Sequence, residues 1–158
     1  MSVFYKTMIS DSCLDVIRQG YTPGLSQDGD GVDDIVMDAI PTMVLLGSIL
    51  LYHEGNIVYM LRRSTAWIGI VDIFIGENGT IKEAIKVGRK AIAWAVENTY
   101  YHKLEARSPM PAMPVIAKRI GFKVEGFREH SFKTQSGEML DEVEVGLILR
   151  SASCHKSH

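Results

Sequence analysis

The densest run of ligand-type side chains is Asp28-Gly29-Asp30-Gly31-Val32-Asp33-Asp34, whose spaced carboxylates suggest a calcium loop. A calcium loop of the helix–loop–helix type needs an oxygen ligand at its fifth position, a glycine at its sixth and a bidentate Glu at its twelfth. Counted from Asp28 these are Val32, Asp33 and Ala39, so the pattern fails and the run is a solvated acidic loop. Cys13 and Cys154 have no His or Cys neighbour at ligand spacing and are expected to be reduced thiols. His53, His102 and His130 are scattered along the chain. The clearest local signal is Thr80 followed by Glu83, a capping box in which the hydroxyl accepts an early helix N–H and the carboxylate reaches back to the cap. The head of such a helix offers unpaired N–H groups and a positive dipole end, which suits an anion.

The elements that must position these residues come from a chain of 158 residues, 46% hydrophobic and 23% charged, ordinary for a soluble globular protein. A net charge of −2 weakens a nucleic-acid reading and gives no reason to expect an anionic membrane partner. Met1 to Lys6 lack a signal-peptide layout, and the apolar stretch Ala39 to Leu51 is too short to span a bilayer. A cytoplasmic location is expected.

Ser2 to Ile9 alternate as an edge strand, and Ser10 or Asp11 caps a short helix ending at Gly20. A Gly/Asp-rich loop, 21–34, leads to a helix from about Asp33 to Met43, with Pro41 leaving its end open. Ser48 to His53 and Asn56 to Arg63 form a hairpin, and Ala66 to Gly76 a buried strand. Ile81, Ala84, Ile85, Gly88, Ile92, Ala95 and Val96 recur at helical spacing after Thr80. Leu104 to Arg107 is a strand, Pro114 fits only the first turn of a helix ending at Gly121, and Phe122 to Phe132 and Glu142 to Arg150 are strands. Trp67, Trp94, Tyr100 and Tyr101 are expected as core or junction aromatics. The order β, α, α, β, β, β, α, β, α, β, β predicts an α+β fold, a mixed twisted sheet with helices on both faces. One domain, 1–150, and a frayed tail, 151–158, are expected.

That order resembles the GNAT superfamily of N-acetyltransferases. Tyr101-His102-Lys103-Leu104-Glu105 is similar to the "GLHRLE" junction of its ribosomal-protein acetyltransferase branch. Ile120 to Glu129 resembles the "LGFREEGVLRE" segment, and Asp141 to Arg150 the closing strand. The likeness covers about Ile68 to Arg150; residues 1–50 match only in element order. Small proteins of this kind also occur in tailed bacteriophages.

The resemblance implies acetyl-CoA as cofactor and an amine acceptor, a small molecule or a protein amine, with a homodimer among the partners it allows. In the family the diphosphate rests on backbone N–H groups of an Arg/Gln-x-x-Gly-x-Gly/Ala motif. Here that motif falls on Gly79 to Ala84, and only Ala84 fits. Gly79, Thr80, Lys82, Ala84 and Lys86 are the implied phosphate residues, opposed by Glu83. A backbone N–H near Ile73, Phe74 and Ile75 would polarise the thioester carbonyl. Asp72 and Glu105 are the implied candidate bases. Where the branch keeps Asn, Ser or Ala, and Tyr, this chain has Met110, Met113 and Ala117, so the family's proton donor is missing. Two functions stand: direct acyl transfer to an amine, or a non-catalytic module binding a protein partner, for example in phage assembly or host interaction.

Overall fold

The computed structural model describes residues 2–5, 9–20, 33–134 and 136–150. Residues 28–32 of the acidic run, the rest of the preceding loop, Cys154 and the expected tail lie outside the described residues, as do residues 6–8 of the expected first strand, whereas Asp33 and Asp34 of the run belong to a helix.

The eleven expected elements are found in the expected order. They are β1 (Ser2–Tyr5), α1 (Asp11–Gly20), α2 (Asp33–Leu45), β2 (Ile49–Glu54), β3 (Ile57–Arg63), β4 (Ile68–Ile75), α3 (Ile81–Asn98), β5 (Lys103–Ser108), α4 (Ala112–Arg119), β6 (Lys123–Lys133) and β7 (Met139–Ile148). The strands form one mixed sheet in the order β1-β2-β3-β4-β5-β7-β6. All neighbours are antiparallel except β4 and β5.

Period-2 alternation sorts the side chains onto two faces. On one face Tyr59, Leu61, Val71, Leu104 and Val145 pack with α3 and α4. On the other, Ile49, Leu51, Val58 and Met60 pack with Cys13 and Ile17 of α1 and Ile40 and Val44 of α2.

Local chemistry sets the ends of the helices. The Ser10 hydroxyl accepts the Cys13 N–H at 3.2 Å and starts α1. Helix α2 runs through Pro41 to Leu45, beyond the expected end at Met43. Pro41 removes one helical hydrogen bond, but burial of Ile40 and Val44 against β2 favours another turn. Gly47, at φ 74°, then closes α2, with the Ser48 N–H reaching back to the Met43 carbonyl at 2.8 Å. Pro114 sits in the first turn of α4, and Gly121, at φ 108°, follows its end. Trp67 and Tyr100 sit at junctions, β3–β4 and α3–β5, and not in the core: they are 59% and 87% exposed, with the Trp67 ring edge-on to His102.

Two contacts fix α3, the longest helix. The Tyr59 hydroxyl, buried in the sheet, donates to the Ala84 carbonyl. That approach needs Gly88, because a Cβ there would overlap the Tyr59 hydroxyl and stand 2.9 Å from its Cζ. At the other end the Arg150 guanidinium donates to the carbonyls of Val96, Thr99 and Tyr101, satisfying acceptors that a helix terminus leaves open.

Gly88→Ala is expected to lower stability by about 2 kcal/mol through overpacking, a fall in melting temperature of several degrees by calorimetry. Arg150→Ala should cost about 2 kcal/mol, the scale of hydrogen bonds to a charged group. A melting temperature unchanged in either variant would contradict the corresponding contact.

Candidate functional site

The β6–β7 ladder is bulged at two places, but the sheet's central pair, β4 and β5, is the one that parts. Parallel register between β4 and β5 covers only Ile68 with Lys103, Gly69 with Leu104 and Ile70 with Glu105. β4 continues to Ile75 and β5 to Ser108, but from there each pairs only with its outer neighbour, β3 or β7. The strands therefore part just past Ile70 and Glu105.

The antiparallel ladder shows which amides face that opening. Gly76 donates to Asn56 at 2.8 Å and Ser64 to Ile68 at 2.9 Å, which sets the phase of β3 with β4. Alternation then turns Ile70, Asp72 and Phe74 toward β3, and Ile73 and Ile75 toward the gap. Of the three expected carbonyl-binding positions, Ile73 and Ile75 present an N–H there, and Phe74 commits its own to β3. Phe74 instead packs its side chain with the α1 cluster. Helix α1 ends directly over this stretch: a Cβ on Gly20 would stand 2.8 Å from the Ile75 nitrogen. The Gln19 side-chain oxygen accepts the Glu77 N–H at 3.1 Å, tying α1 to the loop after β4.

That loop leads to the head of α3. Gly79 donates its N–H to the Gly76 carbonyl at 2.9 Å, so its amide is committed to a turn. Thr80 caps the helix by accepting the Glu83 N–H at 3.1 Å, and its carbonyl takes the Ala84 N–H at 2.9 Å. Among the described residues, the N–H groups of Ile81 and Lys82 have no partner. Lys82 and Lys86 are exposed on the same turns, while Ala84 is fully buried. The reciprocal half of the capping box is not formed. The Glu83 Oε2 is buried without a hydrogen bond, on the side of the β2–β3 turn, where a Cβ on Gly55 would stand 3.8 Å away. The carboxylate expected to oppose an anion is thus turned inward from the helix head.

Asp72 and Glu105 share the α1 side of the sheet, since Glu105 is opposite Ile70 and Asp72 lies two residues further along. Neither is a lone carboxylate. Asp72 takes a two-pronged bond from Arg62, at 2.7 and 3.4 Å. Glu105 lies 3.2 Å from Lys103, which also holds Glu125 at 2.8 Å. The hydrogen bond to Glu125 is the largest cause holding the Lys103 ammonium above the ordinary lysine range. Arg107 continues the charged row toward Glu142 and Glu144. Sequence reading missed these pairings because all but Lys103–Glu105, two residues apart on β5, join separate strands.

On the α3 side, Met113 and Ala117 are buried and only Met110 is exposed. The position expected to hold a proton-donating tyrosine is filled by core packing. Cys13 lies on the buried face of α1, and burial pushes its thiol up to about 12. No group of three or more His, Cys, Asp or Glu suited to a metal occurs among the described residues. No described helix is long and apolar enough to cross a membrane.

The overall fold is shared with solved structures. A putative acetyltransferase from Acinetobacter baylyi superposes with a TM-score of 0.75 at 13% identity, covering 97% of this chain and 94% of that one. Spermidine N-acetyltransferase from Vibrio cholerae, in complex with CoA and spermine, gives 0.70 at 12% identity, covering 94% and 95%. The fold is the GNAT fold. Ribosomal-protein-S5-alanine acetyltransferase from Vibrio fischeri is a further likeness, with a TM-score of 0.67 at 12% identity over 91% and 92% of the two chains. No family model matches the sequence, and no curated protein matches it. Within the GNAT fold the gap at Ile73 and the head of α3 lie at opposite ends of one loop, 76–80.

The Cys13 environment gives a direct check. In the native protein at pH 8, iodoacetamide should leave Cys13 unmodified, and denaturant should expose it, as read by peptide mass spectrometry. Labelling of Cys13 in the native state would contradict the burial.

Proposed function

We propose that the protein transfers an acetyl or other short acyl group from acyl-coenzyme A to an amine. The observation that carries this reading is the outward-facing Ile73 and Ile75 amides beside a parallel pair that ends at Ile70 and Glu105. Among the described residues neither amide has a partner, and a strand edge left so in a folded core is costly unless something pairs with it. The extended amide-bearing arm of coenzyme A has the matching chemistry. The residues present fit the rest of it: the Ile81 and Lys82 amides, with the charges of Lys82 and Lys86, are placed to hold the diphosphate, and Gly79, Thr80 and Ala84 shape the turn that aims them. Acyl-coenzyme A, when bound, supplies the thioester.

The Ile73 N–H is the donor placed to polarise the thioester carbonyl. A neutral amine attacks the carbonyl carbon, the C–N bond forms and the C–S bond breaks. The amine proton leaves by way of a carboxylate or water, and the thiolate takes a proton from solvent. Glu105 borders the apex of the gap and is the better placed base; Asp72 is held by Arg62 and sets the charge of the neighbouring surface. Cys13, buried and unreactive, gives no basis for a covalent intermediate. The acidic members of the charged row, Glu105, Glu125, Glu142 and Glu144, suit a cationic amine as acceptor.

A non-catalytic GNAT module that binds a protein partner is the competing reading. It is favoured by Met110 and Ala117, which stand where the resemblance implies an Asn and a proton-donating Tyr.

Titration with acetyl-CoA separates the two. At about 100 times its dissociation constant, a ligand bound only to the folded state adds about 2.7 kcal/mol, a rise of roughly 5–10 °C in melting temperature for this size. Lys82→Glu is expected to weaken binding about three- to tenfold, the scale of about 1 kcal/mol for a charge at a helix N-terminus. No shift at millimolar acetyl-CoA would refute the transferase. Unchanged affinity in Lys82→Glu would refute the placement of the diphosphate.

A further inference from the structure

Among the described residues, a half-open apolar pocket borders the gap and has no role in the reading above. It is a cavity of about 30 Å³ between the sheet and the second half of α3. Val71 and Leu104 form its floor, Leu50 and Leu61 one side, and Ala91 and Ala95 of α3 its roof. Leu104 sits in the last stretch of β4–β5 pairing, opposite Gly69, and Val71 is the first β4 residue past the final paired position. The cavity therefore lies against the apex of the gap, on its α3 side. Its lining is aliphatic and aromatic, and neither Asp72 nor Glu105 is part of it.

Size and polarity restrict what it can hold. An apolar void does not retain water, which needs two to four polar partners. One water-sized group occupies roughly 10–15 Å³ on this measure, whereas a benzene-binding cavity is about 150 Å³. One or two methylene groups fit; a ring or a long chain does not.

We infer that this cavity receives the end of an acyl group one or two carbons longer than acetyl, making propionyl- or butyryl-coenzyme A the preferred donor. The inference rests on the transferase reading, which brings the thioester to the apex. From there the carbonyl faces the Ile73 amide, and carbons beyond the acetyl methyl pass between Val71 and Leu104 toward α3. Each buried methylene is worth about a factor of four in affinity. The alanines at 91 and 95 leave the space open, because larger side chains at either position would fill it from the helix side.

Calorimetric titration with CoA, acetyl-CoA, propionyl-CoA, butyryl-CoA and benzoyl-CoA tests this without an acceptor. Propionyl-CoA should bind about fourfold more tightly than acetyl-CoA, butyryl-CoA at least as tightly as propionyl-CoA, and benzoyl-CoA more weakly than acetyl-CoA. Ala95→Val should abolish the propionyl advantage and leave acetyl-CoA affinity unchanged; Ala91→Val serves the same purpose if Ala95→Val does not fold. Acetyl-CoA binding as tightly as propionyl-CoA, or a propionyl advantage that survives the folded valine variant, would overturn the inference while the transferase reading stood. Failure of every thioester and of CoA itself to bind would remove both together.

Discussion

Three paired positions hold the two halves of the sheet together. β4 is bonded along its whole length to β3, and β5 along its whole length to β7, but between β4 and β5 the parallel ladder ends at Ile70 and Glu105. Each half is anchored on its outer side, so the inner edges can part without unravelling either strand. α1 braces one side of the parting through Gly20 and Gln19, and α3 and α4 brace the other. The Ile73 and Ile75 amides, the loop to α3 and the apolar cavity at the apex all take their positions from this one interruption. A GNAT fold with a fully paired centre would have none of them.

Element order was legible because each element carries its own local signal. Thr80 caps α3, Gly121 ends α4 with a positive φ, and Gly55 turns the β2–β3 hairpin at φ 57°. The end of α2 was not legible: the proline rule is local, and burial of Ile40 and Val44 overrides it. The parting of β4 from β5 has no signature in either strand, since it depends on what each strand pairs with on its far side. The inward turn of Glu83 was also hidden, because it is set by the β2–β3 turn, a neighbour only in three dimensions. Arg150 as the partner of the α3 carbonyls joins residues some fifty positions apart, beyond any periodicity argument.

The candidate site was half legible. The stretch Ile73 to Ile75 and the head of α3 were singled out from sequence, but which amides are available follows only from the ladder phase and the turn bonds. Gly79 and Phe74 have theirs committed; among the described residues, Ile81, Lys82, Ile73 and Ile75 have no partner. The carboxylates differ in a similar way. Asp72 and Glu105 look alike in sequence, yet Arg62 grips one in a two-pronged bond and Lys103 shares the other's charge with Glu125. Exposed pairs of this kind add little stability. Their effect is to give the α1 side of the opening a patterned surface of both signs.

Amide hydrogen exchange across β4 measures the central claim directly. Without ligand, Ile73 and Ile75 should exchange faster than Asp72 and Phe74, which bond to β3. Saturating acetyl-CoA should slow Ile73 and Ile75, together with Ile81 and Lys82, and leave β1 to β3 unchanged. Ile73 and Ile75 as slow as their neighbours without ligand, or unaltered by acetyl-CoA, would contradict the gap as the place where the thioester is held.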